Sequence, residues 1–213
     1  NLAVFYAATG RTDEGLKLMN YAATIEDCII GQIFSISSEN QQLAYLSSVR
    51  HNLDIFVSLV FQYFAQSPNA VGDALALVLK RKAITAEVLA TQRNAILTGK
   101  YPHLRERLHH LAALRMQIAQ KSLAGPRKEE LKSHHQTLLE WNSEKERVEV
   151  ELSYQIHEMK LELSLKKTNM SIISNSLPSE NTLLEFFRYD AYDFKAISSK
   201  KEKKWKPARY CVF

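Results

Sequence analysis

The chain has 213 residues, 46% of them hydrophobic and 24% charged, which is enough apolar material for a real core in one or two domains. No run of about 18 apolar residues occurs, which excludes a transmembrane helix, and the two cysteines, Cys28 and Cys211, are too few and too far apart for a disulfide framework or a cysteine metal site. The net charge of +5 is local: seven Lys or Arg against Glu202 give +6 between Lys195 and Phe213, leaving about −1 for the other 194 residues.

The start at Asn1 has no initiator Met, basic n-region or signal-like apolar stretch, as expected of a piece of something longer. The first segment places Leu2, Ala3 and Tyr6 on one helix, a turn at Gly10-Arg11, and Asp13-Glu14 at the start of a second helix that carries Gly15, Met19 and Ala22. This is the spacing of the later two-thirds of a tetratricopeptide-type helix pair. Gly15 stands where such a repeat usually has Ala, at an expected cost of about 1 kcal/mol in helix stability. One repeat cannot bury its own faces, so further repeats are expected before Asn1.

From Ser37-Ser38-Glu39-Asn40, a capping signal, a long helix is predicted on Leu43, Leu46, Val49, Leu53, Phe56, Val60 and Tyr63. Ser67-Pro68 ends it and opens the next, with Val71, Leu75, Val78, Leu79, Ala86, Leu89 and Ile96, which is expected to stop near Gly99. Residues 102–156 form the spine. Leu104, Leu108, Leu111, Ile118 and Leu123 lie on one stripe, Gly125-Pro126 breaks the helix, and Leu131, Leu138, Trp141, Val148, Leu152 and Ile156 form a second stripe. Two stripes around such a break predict an antiparallel helical hairpin with arms of roughly 33 Å. A further helix is expected over 161–177. Beyond it, aromatic-rich Leu183–Phe194 and Trp205–Phe213 read as two strands joined by the lysine-rich Ser198–Lys204, most simply a solvated hairpin tip.

The candidate chemistry is sparse. His109-His110 and His134-His135 are adjacent pairs, which on a helix point about 100° apart and do not form the i, i+4 zinc pair, while His51 and His157 are isolated. Cys28 and Cys211 sit in apolar surroundings and read as buried free thiols. The six glycines form no phosphate loop, and Asp190 and Asp193 alternate with aromatics as solvent-facing carboxylates. Phe186, Phe187 and Tyr189 beside the basic tip could stack bases, but strand-core packing accounts for them without a ligand, so nucleic acid is not expected. No catalytic, cofactor-binding or metal-binding residue is assigned.

Four stretches carry a family resemblance: QQLAYLSSVRHNLDIFVSLV (41–60), ALALVLKRKAITAEVLATQR (74–93), YPHLRERLHHLAALRMQIAQKSLAGP (101–126), and LLEFFRYDAYDFKA with WKPARYCVF (183–196, 205–213). Together they resemble the bacterial tetratricopeptide-CHAT proteins, in which helical repeats precede a caspase-like, separase-related cysteine peptidase domain. The resemblance implies a mainly α fold: residues 1–36 as the end of a repeat array, 37–177 as a helical bundle with the long hairpin 102–156, and 178–213 as the first strands of an incomplete α/β CHAT domain. In that family the catalytic His and Cys come later, and no position here matches their motif. The implied role is non-catalytic: a cytoplasmic, cofactor-free segment that joins partner-binding repeats to a peptidase. A free-standing helical adaptor whose strand pair augments a partner's sheet is the alternative, and an enzyme completed in trans is a third.

Overall fold

The computed structural model describes residues 2–34, 36–97, 101–126, 131–155, 170–196 and 202–213, excluding the side chains of 85–97 and of Met170. Ala86, Leu89, Ile96, Gly99, Ile156, His157, 161–169 of the expected last helix and 198–201 of the lysine-rich loop therefore lie outside the described residues or side chains. The fold is mainly helical with a small C-terminal sheet, as the periodicities predict. The helices are α1 Leu2–Ala8, α2 Thr12–Phe34, α3 Glu39–Tyr63, α4 Pro68–Leu97, α5 Arg105–Ala124, α6 Leu131–Gln155 and α7 Met170–Ser176, with a 3-10 turn at Pro102–Leu104. The strands β1 Phe186–Tyr192 and β2 Trp205–Val212 pair antiparallel.

The described residues form two compact units. One takes them from Asn1–Ile30, Tyr45–Ile84 and Glu162–Phe213, the other from Gly31–Ala44 and Thr85–Leu161.

In the first unit α1 ends in a Schellman turn: Arg11 N–H reaches Tyr6 O at 2.9 Å, Gly10 N–H reaches Ala7 O at 3.3 Å, and Gly10 takes φ +86°. α2 then packs back on α1 through its smallest residue. A Cβ at Gly15 would lie 3.1 Å from Ala3 O and 3.3 Å from Ala7 N, so the absent methyl is what permits the approach. Ala3 and Ala7 are buried, but Leu2, expected at the packing face, is 57% exposed, because no described element covers its side of α1. α2 runs 23 residues, well beyond the expected helix.

The core of this unit is the middle of α3. All eight residues from Leu53 to Val60 are buried, including Asp54 and Ser58, so the expected single stripe is too narrow there. Helices cover one side of α3 and the sheet covers the other, which is why Ile55, Val57 and Leu59 are also dry. Toward the start of α3 the three-four steps drift round the helix, and Leu43 is exposed. Ser67 Oγ accepts from Ala70 N–H at 3.4 Å with Pro68 in the first turn, so α4 begins as the Ser-Pro pair predicts.

In the second unit Ser38 and Gln41 form a reciprocal capping box at the start of α3, at 3.0 and 3.4 Å. Buried Glu149 of α6 accepts from Glu39 N–H at 3.1 Å, and Arg115 of α5 bridges Glu39 and Glu149 at 3.0 and 2.9 Å. α5 and α6 pack together, with Arg107 on Glu151 at 3.2 Å and His110 on Glu144 at 3.3 Å. Leu104, Leu111, Leu114, Val148 and Leu152 are buried, whereas Leu123 and Leu131, next to the Gly125-Pro126 break, are 89% and 63% exposed. The expected stripe is therefore dry only at one end of the helix pair.

Candidate functional site

Positions four apart on a helix share a face, and on α3 one such row reads Arg50, Asp54, Ser58, Gln62. This row lies along the edge of β1 that faces away from β2. Glu185 and Phe213 exchange both backbone hydrogen bonds, at 3.2 and 3.0 Å, so the pairs Phe186–Val212, Arg188–Tyr210 and Asp190–Ala208 turn their N–H and C=O groups outward. Arg50 Nη2 donates to Arg188 O at 2.7 Å, and the Asp190 backbone hydrogen-bonds the Asp54 carboxylate. Ser58 Oγ accepts from Tyr192 N–H at 2.9 Å, and Gln62 Nε2 donates to Tyr192 O at 2.5 Å. Lys82 of α4 extends the row, donating to Phe186 O at 3.0 Å and pairing with Glu185. Side chains thus occupy the β1 edge as another strand would, which blunts it.

Burial pushes the Asp54 carboxyl above its ordinary range, opposed by the Arg50 guanidinium 3.2 Å away. Arg50 also lies over the Phe187 ring, 4.6 Å from its centroid. The inner face of the sheet, Phe187, Tyr189, Ala191 and Cys211, is buried on the helices, with Phe61 packed between Tyr189 and Phe213.

The outer edge of β2 is different. Ala208, Tyr210 and Val212 turn their backbone groups outward and have no hydrogen-bond partner there among the described residues. Tyr210 and Val212 are exposed, with Phe186 beside Val212 on the same face. β2 has one more residue than β1 between the Asp190–Ala208 and Tyr192–Trp205 pairs. The bulge falls at Lys206-Pro207, where proline has no N–H to give the ladder.

The residues singled out from the sequence are not brought together. His51 Nδ1 lies 3.0 Å from Ser48 O, His110 meets Glu144, and His109 and His135 are exposed. No group of three or more His, Cys, Asp or Glu is placed to hold a metal among the described residues. Cys211 is buried as expected, with its thiol pushed up to about 11 by desolvation, so it is protonated at neutral pH and is not a poised nucleophile. Cys28 is only half-buried, because an α2 face that includes Ile25 and Ile29 remains exposed. Asp190 is exposed beside Arg188; Asp193 is held below the usual carboxylate range by Lys195 N–H at 2.9 Å and by Lys206 at 3.3 Å.

Two features of the first unit escaped sequence reasoning. One is the row 50, 54, 58, 62, whose spacing was visible but whose partner was not. The other is a buried charge network, in which Arg81 bridges Glu26 and Asp27 at 2.9 and 2.5 Å and Lys80 joins Asp27 at 3.2 Å. Glu26 also accepts from Asn52 at 2.7 Å on the wall of a mostly apolar cavity of about 140 Å³ among α1, α2, α3 and α4. No helix among the described residues is long and apolar enough to cross a membrane. No family model, curated protein or solved structure matches this chain.

Proposed function

We propose that this chain is a non-catalytic, protein-interaction and regulatory segment that joins tetratricopeptide-like repeats to a caspase-like, CHAT-type cysteine peptidase. The observation that carries the reading is the close packing of Gly15 on Ala3 and Ala7 in a register where small residues let repeat helices approach. A helix pair of this kind binds protein partners through its array, and the α5–α6 pair, dry at one end, supplies a long element able to hold two docked arrangements. The test is the intact mass of the protein from its native cells, captured with an antibody to α5–α6. The expected result is a mass far above 24.4 kDa, with a His–Cys dyad in the additional sequence. A mass near 24.4 kDa overturns the reading.

A second reading is favoured by a separate observation, the outer edge of β2, which has no hydrogen-bond partner among the described residues. Here the chain is a helical adaptor whose strand pair adds to a partner's strand.

A further inference from the structure

The cavity of about 140 Å³ among α1, α2, α3 and α4 lies wholly within the first unit and is used by neither reading above. We infer that it binds a small neutral molecule with an apolar body, about the size of one benzene ring, and a single O–H or N–H donor at one end.

The volume sets the size. A dry apolar cavity of about 150 Å³ holds one benzene, and the space here exists because Ala3, Ala22 and Ala23 end at Cβ. Met19, Leu53, Phe56 and Leu77 line the cavity and are buried, so its floor is apolar. Side chains around a void have no atoms opposite them and forfeit dispersion contacts, which an apolar body of matching size restores.

The donor follows from the mouth. Ala22 and Asn52 are exposed, so the cavity opens on their side, and Glu26 stands beside Asn52 with its side chain 13% exposed. Asn52 Nδ2 already donates to Glu26 Oε1 at 2.7 Å, and Arg81 Nη2 donates to Glu26 Oε2 at 2.9 Å. What the pair offers a newcomer is therefore acceptors: the Asn52 amide oxygen, with no partner among the described residues, and the remaining lone pairs of the carboxylate. The local charge is balanced, because Glu26 and Asp27 are matched by Arg81 and Lys80. A neutral donor fits this end, whereas a carboxylate would set oxygen against oxygen.

The probe is phenol, with toluene as the isostere that lacks the donor and benzoate as the anion, each titrated into the intact chain at pH 7. Binding is read from carbon–proton methyl spectra and from the melting temperature. Phenol is expected to saturate with a midpoint at about 1 mM or below, to shift the methyl signals of Ala3, Ala22, Ala23 and Leu77, and to raise the melting temperature. Toluene is expected to bind no more tightly than phenol, and benzoate not at all. A hydroxyl that leaves water without finding a partner is penalised, so a cavity lacking acceptors would favour toluene by about tenfold or more. That result, or benzoate binding as tightly as phenol, overturns the inference. Ala23→Leu, which fills the cavity from a half-buried wall, is expected to weaken phenol at least about tenfold. Undiminished binding by the folded variant, or shifts in the unmodified chain confined to other methyl groups, places phenol elsewhere and overturns the inference, as does the absence of phenol binding.

Discussion

β1 and β2 are neighbours in one sheet, yet the chain handles their outer edges in contrary ways. Along β1, an i, i+4 row from α3 supplies a guanidinium, a carboxylate, a hydroxyl and an amide to successive backbone groups, and Lys82 adds an ammonium. Along β2 nothing does so among the described residues, and Tyr210 and Val212 there are exposed. An edge strand exposes a row of donors and acceptors whether or not its side chains are buried. The comparison teaches that burial and edge satisfaction are separate constraints: β1 has both, and β2 has only a buried inner face at Cys211.

The widest contrast is in packing. Phe187→Ala on β1 should cost about 3–5 kcal/mol, because it empties a 2% exposed site under Arg50. Tyr210→Ala on β2, 75% exposed, should stay within about 0.5 kcal/mol. Urea unfolding midpoints of the two variants measure this, and similar losses would mean that the inner and outer faces of the sheet are packed alike. A narrower test removes one capping group: Ser58→Ala leaves Tyr192 N–H buried without its acceptor and should cost about 1–3 kcal/mol, with faster exchange at that amide. An unchanged midpoint would mean that water or a shifted strand replaces the hydroxyl. The smallest effect concerns α1 and α2, outside the sheet. Helix propensity alone says that Gly15→Ala stabilises by about 1 kcal/mol. The approach of Ala3 O and Ala7 N, both backbone atoms, opposes this, so a net loss of stability of up to about 1 kcal/mol is expected, read as a lower melting temperature. A clear gain would show that α1 moves away freely.

Much of the fold was legible in the residues. Periodicity marked α3, α4, α5 and α6; the Ser38 and Ser67 signals located two helix starts, Gly125-Pro126 a break, and aromatic density both strands. These are local properties, determined by steric and hydrogen-bonding preferences within a few residues. Which residues stay dry was read less well. Leu123 and Leu131 belong to good stripes yet are exposed, while Asp54 and Ser58 fall off the stripe and are buried. A stripe records which face can be buried; a neighbour decides whether it is.

The sequence by itself determined where α3, α5 and α6 run, where α4 begins, the two strands and the absence of any metal- or phosphate-binding spacing. Only the tertiary structure decided that Arg50, Asp54, Ser58 and Gln62 serve β1, and that no described residue serves the outer edge of β2. Backbone hydrogen-bonding groups are the same in every residue but proline, so no local pattern marks which strand edge will meet a polar row more than a hundred residues away.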